Sequence, residues 1–220
     1  MLVLNAGIMV VPTLQRTRDG LERVFGVNHV AHALLAQLLA PALEASAAAS
    51  GDARVVVVSS GAAWWGDVGA RSPALLDPLY AKGRRHGFLG ISEYGNSKLA
   101  NAVFAAELAR RSAGTGLRAW SLHPGAVYTA LFDSVPYFGA LERLLGPLLR
   151  FVFKTPLEGA QTQLYLATAP LAEVGALNGR FFDNCAPAWM KSIHSEEVGR
   201  ALWRVTDELT SARAADGGAE

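Results

Sequence analysis

Arg54-Val55-Val56-Val57-Val58-Ser59-Ser60-Gly61 runs four consecutive valines into two hydroxyls and a glycine. A β-branched run with no polar alternation is the pattern of a strand buried on both faces, as in a parallel sheet covered by helices. The serines fall at the carboxyl end of that strand, the edge along which open α/β sheets bind ligands. Taken alone, two serines before a glycine also end a strand and begin a turn. Working outward, Leu2 to Ala6 is a second apolar run, closed by Gly7, and Leu117 to Leu122 and Gly179 to Phe182 read as further strands.

Helical patterns separate these strands. From Asp19 to about Ala45, apolar residues recur at helical spacing, among them Leu21, Val24, Ala31, Leu34, Leu35 and Leu38, and predict one long helix bent near Pro41. Ser92 to Ser112 is rich in helix formers and is closed by Gly114 and Gly116; Glu158 to Thr168 and Glu196 to Leu209 read as two more helices. Strand and helix alternating at this spacing, with right-handed crossovers, predict an α/β fold: a parallel sheet with helices on both faces. Residues 1–210 are expected to form a single domain, and the small, polar residues from Ser211 to Glu220 a disordered tail. The irregular stretch from Gly61 to Gly90 reads as a functional loop rather than a domain boundary.

Composition bounds the function. The chain has 220 residues, 51% hydrophobic, enough for a substantial core. Twenty basic against nineteen acidic residues leave a net charge of +1 with no basic stripe, which argues against nucleic acid as a partner. Cys185 is the single cysteine, and no Cys/His group has zinc-site spacing, so no metal site is expected. Met1 runs straight into Leu2-Val3-Leu4 without the basic region, long apolar region or cleavage site of a signal peptide. An intracellular location is expected, cytoplasmic or peripherally membrane-associated. Val135 to Phe153 is apolar but broken by Pro136, Glu142, Arg143, Pro147 and Arg150, and reads as a lid, as core packing or as an interfacial helix rather than a membrane span.

Tyr94-Gly95-Asn96-Ser97-Lys98 sets a phenol and an ammonium at i and i+4, on one face of a helix and roughly 6 Å apart at Cβ. A phenol ordinarily titrates near 10 and a neighbouring cation lowers that, so Lys98 is expected to make Tyr94 a usable acid or base. The same spacing is common on solvated helix faces. The loop residues Trp64, Trp65, Leu75, Leu76 and Phe88 either line a lipophilic pocket or pack over the sheet.

In order along the chain, these motifs resemble the short-chain dehydrogenases/reductases, specifically their retinol-dehydrogenase-like branch. Asn5-Ala6-Gly7 is similar to the end of the family's Asn-Asn-Ala-Gly motif, with Leu4 in place of its first asparagine. Val27-Asn28-His29, Val58-Ser59-Ser60, Tyr94-Gly95-Asn96-Ser97-Lys98-Leu99-Ala100-Asn101 and His123-Pro124-Gly125-Ala126-Val127-Tyr128-Thr129 resemble its asparagine helix, serine strand, catalytic helix and Pro-Gly turn. Glu158-Gly159-Ala160-Gln161-Thr162, Gly179-Arg180-Phe181-Phe182 and Leu202-Trp203 fit as well.

The resemblance implies a Rossmann-like sheet and an oxidoreductase interconverting a lipophilic, retinoid-like alcohol and its carbonyl compound, with NADP(H) rather than NAD(H). It implies that Tyr94 exchanges a proton with the substrate oxygen, that Ser60 hydrogen-bonds that oxygen, that Lys98 lowers the Tyr94 pKa and meets the nicotinamide ribose, and that Asn28 holds a relay water. Val127 and Thr129, on the turn set by Pro124 and Gly125, would hold the carboxamide; Asn5 and Gly7 would lie along the adenosine half.

The family's Gly-rich phosphate turn has no counterpart ahead of Asn5, so the chain is expected to begin at about the fourth strand, with an unpaired edge and no tight cofactor binding. The alternative is a catalytically inactive remnant that acts as a binding protein through that edge.

Overall fold

A computed structural model of the chain describes residues 1–9, 11, 13–68, 90–128, 146 and 153–216. Strands β1 (Leu2–Leu4), β2 (Ala53–Val58), β3 (Leu117–His123), β4 (Phe181–Asp183) and β5 (Ala186–Ala188) form one sheet in the order β1-β2-β3-β4-β5. The first four are parallel, with Val55 beside both Leu2 and Ala119. The fifth departs from the expected all-parallel sheet: it turns back from β4 through Asn184 and Cys185, both at positive φ, and pairs antiparallel. Its Pro187 fits an edge strand, where a missing N–H leaves no ladder bond unmade.

The valines of β2 divide by parity. Val55 and Val57 join Ala119, Phe181, Val103 and Phe104 in one core, while Val56 and Val58 join Trp120, Leu122, Phe182 and Leu166 in a second on the opposite face. The first face is covered by α2 (Ala40–Ser50), α3 (Ile91–Arg111) and α6 (Glu196–Asp216), the second by α4 (Pro156–Thr168) and the short α5 (Leu171–Val174). Helices on both faces follow from a strand with no polar side.

The expected single helix from Asp19 to Ala45 is two. The first, α1, spans Arg23–Leu38 and is bent by 57° from α2. Glu22 caps its start by accepting hydrogen bonds from the amides of Val24 and Phe25, and Leu39 is the break. Pro41 lies in the first turn of α2, where a missing N–H is tolerated, so the bend falls two residues before the proline rather than at it. Within α1, Gly26–Val30 forms a widened π-turn closed by the Ala31 amide on the Gly26 carbonyl.

The last helix also differs: α6 continues to Asp216, so residues 211–216 are helical backbone and not the expected tail. Among the described residues no single helix is long and apolar enough to cross a membrane; α1 and α2 pass that test only as a bent pair.

Candidate active site

The carboxyl ends of β1 and β2 meet the first turns of α3, and polar side chains concentrate there. Ser59, directly after β2, donates its hydroxyl to the Lys98 carbonyl at 2.6 Å and so fastens α3 to the strand. Ser60 begins a 3-10 turn, Gly61–Trp65, which it caps by accepting from the Ala62 amide at 3.2 Å. This turn presses on α3 so closely that a Cβ on Gly66 would come within 2.4 Å of the Gly95 carbonyl oxygen, and no side chain fits between them.

Four residues expected at a reaction centre are brought together. Tyr94, 8% exposed, lies beside Ser60, whose hydroxyl draws its pKa down. Lys98, 4% exposed, places Nζ 5.8 Å from the Tyr94 ring centroid and donates to the Val58 carbonyl at 3.1 Å. Asn28 is fully buried in the π-turn: Nδ2 donates to the Ile8 carbonyl at 2.9 Å and to Ser97 Oγ at 3.0 Å, and Oδ1 accepts from the Ile8 amide at 2.8 Å. Asn28 therefore ties the chain leaving β1 to α3. Gly7 completes the group, since a Cβ there would lie 3.2 Å from Asn28 Oδ1 and 3.3 Å from Lys98 Nζ.

The electrostatics differ from expectation. Burial raises the Tyr94 pKa, more than the Ser60 hydrogen bond lowers it. Lys98 does not reverse this; burial also disfavours its own ammonium and brings its pKa down to about 8. The phenol is held protonated.

The Pro-Gly turn follows β3. Gly125, at φ +90°, packs on the Lys154 side chain, and a Cβ there would stand 2.8 Å from Lys154 Cδ. Lys154 donates its amide to the Ala126 carbonyl at 2.7 Å and accepts from the Tyr128 amide at 2.9 Å. These bonds use the residues on either side of Val127 and leave its own N–H and C=O outside the bridge. Asn5 is exposed and accepts from Gln163 Nε2 at 3.3 Å, away from the four-residue group. Thr129 lies outside the described residues, as do Leu75, Leu76, Phe88 and nearly all of Val135 to Phe153. Of the loop aromatics described, Trp64 stands edge-on to Phe181 at 5.2 Å between centroids, and Trp65 is exposed.

Some residues here carry no role in the sequence reading. Asn101 Nδ2 donates to the Val58 carbonyl at 3.3 Å, which leaves Oδ1 to accept from His29 Nδ1 at 3.2 Å; His29 Nε2 then accepts from the Thr206 hydroxyl at 3.0 Å. His123, ending β3, accepts at Nδ1 from the Gly61 amide at 2.9 Å. His29, Asn101 and His123 lie within matched motifs, which gave them no role of their own.

No family model matches the chain. Human retinol dehydrogenase 14 is 39% identical over 213 residues, 94% of this chain and 57% of its own length. Mouse polyprenol dehydrogenase is 37% identical over 220 residues, 98% of this chain and 61% of its own. The chain thus spans about three-fifths of the length of the curated relatives it matches. Among solved structures, an uncharacterised protein from Mycobacterium paratuberculosis superposes with a TM-score of 0.63 at 30% identity, covering 95% of this chain and 66% of that one. The NADPH-bound carbonyl reductase from chicken fatty liver superposes with a TM-score of 0.52 at 21% identity, over 82% and 61%, and shares the fold. With the tyrosine, lysine, serine and asparagine gathered at the carboxyl end of a parallel sheet, these relationships show that the chain belongs to the short-chain dehydrogenase/reductase family, in its retinol-dehydrogenase-like branch.

Proposed function

We propose that this chain carries the proton-transfer half of an NADP(H)-dependent oxidoreductase that interconverts a lipophilic alcohol and its carbonyl compound. One observation carries the reading: buried Tyr94 stands between Ser60, whose hydroxyl lowers its pKa, and Lys98, whose Nζ lies 5.8 Å from its ring, and Gly7 leaves room beside Asn28 and Lys98. The retinol and polyprenol dehydrogenases among the relatives support a lipophilic substrate.

The residues present fit the nicotinamide half of a dinucleotide. Gly7, expected along the adenosine half, is assigned to this half instead because it leaves space where a Cβ would meet Asn28 and Lys98, and the turn at Gly125 leaves the Val127 amide and carbonyl outside the backbone bridge, suited to a carboxamide. Lys98 would meet the ribose, and Thr129 would add a hydroxyl. A bound nicotinamide supplies or accepts the two electrons. In the reducing direction, the protonated Tyr94 gives its hydroxyl proton to the carbonyl oxygen, which Ser60 orients through a second hydrogen bond. Asn28, by holding Ile8 and Ser97, keeps the approach to Lys98 in register and would position a water that returns the proton. In the oxidising direction the proton runs the other way.

The adenosine and phosphate contacts of the family belong to a Gly-rich segment without a counterpart ahead of Asn5. A fragment limited to these 220 residues, taken without such a segment, is expected to bind NADPH weakly, and tight binding by that fragment in a fluorescence titration would overturn this. The function is tested in a chimera that places a family Gly-rich segment ahead of Met1: NADPH-dependent reduction of all-trans-retinal, lost in Tyr94→Phe, supports the proposal. A folded, cofactor-binding chimera with no turnover of retinoid, polyprenoid or simple aromatic carbonyls would favour a non-catalytic binding protein.

A further inference from the structure

Resting on the reading above, we propose that His123 is a positioning residue that fixes the serine loop and the cofactor-facing turn to a single acceptor. Its Nδ1 takes a hydrogen bond from the Gly61 amide at 2.9 Å and a longer one from the Gly125 amide at 3.4 Å. Gly61 is bonded covalently to Ser60, which reaches the Tyr94 side chain; Gly125 sets the turn that presents Val127. One imidazole nitrogen thus ties the group that orients the substrate oxygen to the backbone that orients the ring it reacts with.

The ring itself is held. Gly61 lies against it, with a Cβ there coming within 3.2 Å of Nε2, and Trp64 closes it edge-on at 6.0 Å between centroids. Trp64 is in turn fixed on Phe181. An Nδ1 that accepts from two amides carries no proton, so the ring must be neutral with its hydrogen on Nε2. Burial favours that form, and so does the cation of Lys154; Asp183 on β4 opposes it. A histidine kept only to fill the end of β3 would need the ring but not the acceptor, and substitution separates the two. Asparagine returns an acceptor oxygen near the place of Nδ1, whereas phenylalanine keeps an aromatic ring and removes the acceptor.

The test uses amide hydrogen exchange by NMR on the 220-residue chain. His123→Phe is expected to raise exchange at Gly61 and Gly125 at least tenfold over wild type while the amides of β2 and β3 keep their protection, and His123→Asn is expected to restore both. Unchanged exchange at Gly61 in His123→Phe, or equal loosening of the whole sheet in both variants, would overturn the proposal. In a chimera whose parent turns over, His123→Phe is expected to lower kcat ten- to a hundredfold, with His123→Asn retaining most of it; equal rates in the two variants of such a parent would also overturn it. Because exchange is read without turnover, failure of the oxidoreductase reading leaves this result standing on its own.

Discussion

Helix α3 has two unlike halves at the same depth. From Tyr94 to Asn101 it buries the polar Tyr94, Asn96, Ser97, Lys98 and Asn101 beside the apolar Leu99 and Ala100; from Ala102 to Ala109 it buries Ala102, Val103, Phe104, Ala105, Ala106 and Ala109, with Glu107 ion-paired to Arg110 and Arg111. The second half is ordinary core, joined to Val55, Val57 and Ala119. In the first half, Ser97, Lys98 and Asn101 hydrogen-bond to Asn28, Val58 and His29, so desolvation is offset rather than exceeded. One half of the helix therefore supplies stability, and the other, on the function proposed above, would serve chemistry at little net gain in stability.

Substitutions should separate the two functions. The largest effect is expected from Tyr94→Phe in the chimera, a loss of at least 10³-fold in kcat on the order of a general-acid contribution, with NADPH affinity and melting temperature nearly unchanged. Substantial residual turnover would remove Tyr94 from its role. In the other half, Phe104→Ala should cost about 3–5 kcal/mol by urea unfolding, because Phe104 is stacked on Trp203 at 5.4 Å and the cavity would undermine the seat of α6. A cost below about 1 kcal/mol would show that the two halves do not differ as described.

Lys98→Met should sharpen the contrast. It removes a buried ammonium, while the Val58 carbonyl keeps its bond from Asn101, so the melting temperature at neutral pH should hold or rise as turnover falls at least a hundredfold. A large drop in melting temperature would make Lys98 a structural residue. The smallest effect concerns pH. Burial lowers the His29 pKa to about 4, so the unfolded chain takes up its proton near 6.5 and the folded one only near 4. Stability should be independent of this group above pH 6.5 and fall as pH drops through that window, at up to about 1.4 kcal/mol per unit. His32, also lowered to about 4 by burial, acts in the same direction. His29→Gln should flatten the acid limb; an unchanged limb would assign the acid loss elsewhere.

Much of this was legible in the sequence because it depended on local spacing. The valines of β2 announced a strand without a wet face, and the i, i+4 spacing of Tyr94 and Lys98 put both on one helix face, although only the resemblance of the surrounding motifs gave them a role. What escaped depended on long-range contact or on unusual backbone. The turn to β5 is made by Asn184 and Cys185 at positive φ, without the glycine that signals such a hairpin. The role proposed for His123 requires Gly61, 62 residues earlier in the chain, to meet it across the fold, which no spacing reveals. The direction of the Tyr94 shift could not be read from Lys98 because burial outweighs the neighbouring charge. The break in the first long helical pattern was visible in Pro41, but its position was set by where the proline could be accommodated, in the first turn of α2.

The π-turn in α1 makes chain length itself a functional variable. Asn28 and His29 are adjacent, yet they contact Ser97 and Asn101, which lie a full turn apart on α3. A widened turn advances by less than 100° per residue and so lets neighbours share a face that a regular helix would divide between them. Losing one residue between Phe25 and Asn28 would relax the turn to an ordinary helix and rotate the asparagine away from Ile8, although every residue of the reaction centre would still be present. Along this segment the gene can drift in composition more readily than in reading length, and a search for working relatives should weigh a single-residue gap here more heavily than several substitutions.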